Sequence, residues 1–185
     1  MGERRRVPVR GRLTLLYLNP ERPSDPIQIF SRCNPGTAAD TDPWLDDPER
    51  VQREWVRQFE APLDQALEML LTPSESSTSP ILETVRGLTW RSDFTQEQAE
   101  RRIVLVSDML QNSVAHSMYA QEVSERTFES LERRPRADLQ IPDLNSVDVD
   151  LHILRSEEAL PYQDEAFESF WHDYFGRTGA ELIGG

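Results

Sequence analysis

The stretch that decides the fold is "RRIVLVSDMLQNS", Arg101–Ser113. Four consecutive apolar residues, Ile103–Val106, run straight into Ser107-Asp108. A short apolar run ended by turn formers reads as a strand covered on both faces, the interior strand of a parallel sheet. In an open α/β sheet, ligands gather beyond the carboxyl ends of the strands. Asp108 is then a carboxylate at the edge where binding groups collect. The competing reading is local, because Ser and Asp side chains also cap turns.

Working outward, "RLTLLYL" (Arg12–Leu18) and "IQIFSR" (Ile27–Arg32) flank the turn-rich "NPERPSDP" and read as a hairpin with a long loop. Asp47-Pro48 starts a helix, with Asp as cap and Pro at the first helical position. Val51, Trp55, Phe59, Leu63, Ala66, Leu67 and Leu70 then share one face. Pro62 should kink or divide that helix, since it removes a backbone donor. Ser79-Pro80 repeats the cap signal and opens a short helix, "ILETVRGLTW". Glu122–Arg133 reads as helical. "VDVDLHIL" (Val147–Leu154) alternates apolar and polar residues, as a strand near the sheet edge does. A last helix, from about Gln163, sets Ala166, Phe167, Phe170, Trp171, Tyr174 and Phe175 on one side, an aromatic stripe for the core. Strands alternating with helices predict an α/β three-layer sandwich, its sheet mostly parallel with one antiparallel hairpin strand. The expectation is a single domain over 1–185, with residues 1–10 a flexible basic arm.

Composition narrows the chemistry. The chain has 185 residues and a formal net charge of −13, which argues against nucleic-acid and anionic-membrane partners. The arginine clusters Arg4–Arg6 and Arg133–Arg136 read as solvated ends of elements. All 20 basic residues are arginine, so Schiff-base lysine, Walker A lysine and lysine general base are excluded. There is no G-x-G-x-x-G or G-x-S-x-G motif. His116, His152 and His172 have no metal-ligand spacing, and "DTDPWLDD" (Asp40–Asp47) lacks EF-hand spacing and reads as a solvated acidic loop. Cys33, the one cysteine, follows an apolar strand and reads as a small buried side chain in a reducing compartment. No apolar run reaches the ~20 residues of a membrane span, so a cytoplasmic protein is expected.

Taken together, "GRLTLLYLNP", "IQIFSRCNPG", "SPILETVRGL", "RRIVLVSDMLQNS" and "FWHDYFGRTGA" resemble the von Willebrand factor A-like domains, in particular bacterial intracellular members. The resemblance covers most of the chain. It implies a metal-ion-dependent adhesion site, a divalent cation (usually Mg²⁺) held by oxygen ligands from three loops. Carried over, Asp108 matches the third-loop aspartate, and Ser79, or Thr78 beside it, matches the second-loop hydroxyl. The first-loop D-x-S-x-S of the family is not found, and the strand from Arg12 resembles the family's second strand. The expectation is therefore a truncated or degenerate domain, with at most weak metal binding and with exposed sheet edges that favour a homo-oligomer.

The resulting functional expectation is a non-enzymatic domain that binds a protein partner at the carboxyl-end rim. The alternative is a metal-assisted hydrolase or nucleotide-binding α/β enzyme using Asp108, with His116 or Asp150 assisting.

Overall fold

The computed structural model describes residues 7–42, 44, 46–70, 76–95, 97, 100–133 and 141–184. Arg4–Arg6 and Arg134–Arg136 lie outside the described residues, as does most of the expected basic arm. The chain groups into two compact units: Met1–Tyr17 with Ile27–Glu75, and Leu18–Pro26 with Ser76–Gly185.

In the first unit, β1 (Arg12–Tyr17) and β2 (Ile27–Cys33) pair antiparallel as expected. They form a sheet of their own, not a strand of the parallel sheet, which corrects the single mixed sheet expected from the sequence. Val7–Arg10 is tied down by Asn34, whose Nδ2 donates to the Val7 carbonyl and whose own carbonyl accepts from the Arg10 amide. Cys33 is exposed, contrary to expectation, because it ends β2 beyond the covered Phe30.

The helix from Pro48 starts as predicted, with the Asp47 side chain accepting from the Arg50 amide. The division expected from Pro62 takes the form of a π turn. α1 (Pro48–Trp55) passes through a π turn, Val56–Glu60, into α2 (Ala61–Leu70). A proline lacks its amide hydrogen and crowds the carbonyl four residues back. Here that carbonyl belongs to Gln58, and Arg32 Nη1 donates to it at 3.0 Å. The wider π turn just before Pro62 absorbs the misfit without ending the helix. Phe30, Phe59 and Ala66 form this unit's core, with Phe30 and Phe59 edge to face at 5.6 Å.

The second unit holds a parallel sheet of β3 (Arg101–Ser107), β4 (Val147–Ile153) and β5 (Glu181–Gly184), in that order. Two sequence expectations reverse. β4, read as lying near an edge, is central, and β3, read as interior, is an edge strand among the described residues. β3 alternates despite its unbroken apolar letters: Ile103 is 5% exposed, whereas Val104 and Val106 are 51% and 63% exposed. One sheet face is thus covered and the other carries exposed valines, so among the described residues of this unit the helical cover of a three-layer sandwich is seen on one face. β5 went unread because "ELIG" is too short to show a period.

The covered face packs on α5 (Glu165–Thr178), where Phe167, Phe170, Trp171, Tyr174 and Phe175 are all buried as the aromatic stripe predicts. Asp164 caps α5 through the Phe167 amide, worth about 1 kcal/mol. Its other oxygen accepts from the nearly buried Arg126. Gly179 ends α5 at φ 75°, a left-handed cap that glycine adopts without strain. The helix expected over Glu122–Arg133 is shorter, a 3-10 turn at Val123–Glu125 and then α4 (Phe128–Glu132), whose Phe128 packs on Phe170.

α3 (Ile81–Leu88) begins one residue later than the Ser79-Pro80 signal implied, with no side-chain cap. Ser79 is instead held opposite Asn112 by two backbone hydrogen bonds, 2.8 and 2.9 Å. The Leu18–Pro26 segment packs closely on α3. A Cβ on Gly87 would stand 2.2 Å from the Ser24 carbonyl oxygen, so only glycine fits.

Candidate functional site

The carboxyl-end rim of β3 and β4 carries the candidate site. Immediately after Asp108 the chain passes through Met109, a buried non-glycine residue in the left-handed region at φ 58°. Such backbone costs about 1–3 kcal/mol and persists only where its surroundings hold it. Two side chains do so. Trp171 Nε1 donates to the Met109 carbonyl at 2.9 Å. Gln163 Nε2 donates to the carbonyls of both Asp108 and Leu154, each at 2.9 Å, lashing the ends of β3 and β4 together. Gln163 is buried, and its Oε1 accepts no hydrogen bond among the described residues.

Asp108 combines both sequence readings. Its Oδ1 accepts from the Leu110 amide at 3.0 Å and lies 3.3 Å from Ser107 Oγ, which is the turn-capping role. Its Oδ2 accepts no hydrogen bond from the described residues, and the side chain is half-buried at the surface. Tyr119 and Tyr162 complete the rim, their rings edge to face with centroids 4.7 Å apart. Burial first, then the Asp108 carboxylate and Tyr162, push the Tyr119 hydroxyl above the usual tyrosine range. Neither tyrosine was singled out from sequence. The available signal was position: "SMYA" and "LPYQD" each follow a strand of the parallel sheet.

Behind the rim, the loop to Tyr119 is anchored by a polar knot. Gln111, fully buried, accepts from the Leu82 amide and donates to Glu83 and Ser113. Ser113 Oγ donates to Glu83 at 2.6 Å. Every group has a partner, so the knot sets the shape of the loop and offers no reactive atom.

The other sequence candidates scatter. Ser79 Oγ and Asp108 are not joined by a hydrogen bond, and Thr78 is exposed in a local turn with Ser76. Among the described residues no group of three or more His, Cys, Asp or Glu converges as a metal site. One carboxylate and one hydroxyl fall well short of the six oxygens Mg²⁺ takes, so this donor set does not fit a resident ion. His116 is buried and stacked on Phe170 at 4.9 Å, inside the core and not at the rim. Asp150 lies mid-strand beside Val104, paired with Arg102 and 3.4 Å from His152. Asp108, His116 and Asp150 therefore occupy three different surroundings. In the first unit, an open trough of about 600 Å³ beside Ala38, Gln52 and Val56 brings no nucleophile and base together. Among the described residues no helix is long and apolar enough to cross a membrane.

Compared with known proteins, the chain matches no family model, no curated protein and no solved structure.

Proposed function

We propose that this chain is a protein-interaction domain without catalytic activity, which captures a partner protein at the carboxyl-end rim of β3 and β4. The observation that carries the reading is the elbow at Met109. Strained backbone presents Asp108, one carboxylate oxygen unengaged, at the rim that also carries the Tyr119–Tyr162 ring pair. Loops placed by a rigid sheet are where binding residues concentrate. The resemblance to von Willebrand factor A-like domains supports the same edge of the sheet. On this reading the adhesion site is degenerate and works without a resident magnesium ion, since Asp108 and Ser79 are too few ligands. A three-layer sandwich would be completed by whatever covers Val104 and Val106, a second copy of the chain joined through the β3 edge being one route. The working compartment is the cytoplasm, where an exposed lone thiol such as Cys33 stays reduced.

The test is affinity capture from a cytoplasmic extract on immobilised wild type beside Asp108→Ala, read by quantitative mass spectrometry. A protein enriched by the wild type and lost from Asp108→Ala supports the reading. Metal-dependent phosphoester hydrolysis by the wild type, abolished in Asp108→Ala, would replace it with the hydrolase.

A further inference from the structure

Resting on that interaction reading, the geometry points to an arginine side chain of the partner as the group the rim receives, clasped by the Asp108 carboxylate and the Tyr119–Tyr162 ring pair. The unengaged groups at the rim are a carboxylate oxygen, π faces and the two phenolic hydroxyls, with the full negative charge on the carboxylate. Asp108 Oδ2 has no donor among the described residues, and Tyr119, 42% exposed, stands edge to face with Tyr162. The buried Oε1 of Gln163, whose Nε2 holds the Asp108 carbonyl, lacks a donor as well. Negative charge also extends over the loops that follow both strands. Asp164 is neutralised by Arg126, but Glu157, Glu158 and Glu165 stand against Arg155 in residues 154–165, and Glu122 and Glu125 lie beyond Tyr119. A site of this kind repels anions and attracts an organic cation.

The choice of arginine over lysine follows from shape. A guanidinium is planar, so it can lie on a tyrosine ring while directing its N–H groups in plane at a carboxylate. An ammonium is a compact point charge and gains from only one of these contacts at a time. A divalent cation would gain nothing from the rings.

The experiment is a two-dimensional ¹H–¹⁵N NMR titration of the intact chain with N-acetyl-arginine amide, the citrulline analogue, the lysine analogue and MgCl₂. The expected result is saturable shifts of the Leu110 amide and the Gln163 side-chain amide with the arginine probe. Lysine should bind more weakly, and uncharged citrulline should not bind. Asp108→Asn keeps the Leu110 turn and should weaken the arginine probe by at least about tenfold, the loss of one charged hydrogen bond. Tyr119→Ala should weaken it by about two- to fivefold. Citrulline binding as well as arginine, an unchanged affinity in Asp108→Asn, or no shift at any concentration would each overturn the inference. Saturable Mg²⁺ shifts at Leu110 without arginine shifts would overturn it in favour of the metal. A partner captured through Asp108 by a chain that ignores arginine would overturn this inference alone and leave the interaction reading standing.

Discussion

Trp171 donates its indole N–H to the carbonyl of Met109 at 2.9 Å, and Met109 is the one residue between Asp108 and Leu110, held at φ 58°. A residue on the core helix thus fixes the backbone that aims the rim carboxylate. Trp171→Phe keeps most of the ring but removes the stronger of two donors to that carbonyl, leaving the Gln111 amide at 3.1 Å. The expected loss is about 0.5–1.5 kcal/mol in urea unfolding, the net worth of one hydrogen bond, with an unchanged m value. Faster amide exchange at Leu110 should accompany it. A loss below about 0.5 kcal/mol would mean the elbow holds itself.

Gln163 ties together the ends of β3 and β4, and its two variants should separate packing from hydrogen bonding. Gln163→Leu fills the same volume and removes the donor, at a cost of about 1–3 kcal/mol. Gln163→Glu should cost more at neutral pH, because an ionised carboxylate would face two carbonyl oxygens with no proton to offer. Burial and those oxygens raise its folded pKa above the unfolded ~4.3. The deficit should therefore shrink as pH falls through the folded pKa, where the protonated acid can donate again. Urea midpoints measured across pH for both variants check the crossing.

The parts of this fold legible in the sequence are those written in a period. The aromatic stripe of α5 gave its buried face, and Asp47-Pro48 gave the start of α1. The run Ile103–Val106 misled because four apolar letters carry no period, so a half-covered edge strand and a fully buried strand look alike. Pro62 signalled a disturbance in the helix but not its form, a π turn between α1 and α2. Its effect depends on whether a distant side chain can serve the carbonyl it frees, and Arg32 does. At the site, Asp108 was visible as a carboxylate ending an apolar run. Tyr119 and Tyr162 were not, because they meet only once both strands have ended in the same place.

The edge reading of β3 makes neighbouring residues respond in opposite ways. Ile103→Ala should cost about 2–5 kcal/mol, since Ile103 faces the core. Val106→Thr, on the open face, should fall within about 0.5 kcal/mol of wild type. Thermal unfolding of both under one buffer decides it. If Val106→Thr proves as costly as Ile103→Ala, the valine face is covered in solution, and a sedimentation run should then show a species heavier than the monomer.

Tyr174 carries a buried hydroxyl with no hydrogen-bond partner among the described residues. Burial, and then the nearby Glu83 carboxylate, drive its pKa well above the usual tyrosine value, with Arg86 opposing weakly. The sign follows from which state ionises first. Below pH ~10 both folded and unfolded forms keep the proton and the residue contributes no pH dependence. Above that, the unfolded chain releases the proton while the folded chain retains it, so stability falls as pH rises, by up to about 1.4 kcal/mol per unit. Tyr174→Phe removes this slope and also removes an unsatisfied polar atom from the core. It should match or exceed wild-type stability at pH 7 and hold its stability better above pH 10. Urea unfolding at both pH values, with the tyrosinate absorbance followed alongside, tests the claim. Equal alkaline loss in both proteins would show that the Tyr174 hydroxyl reaches water in the folded state.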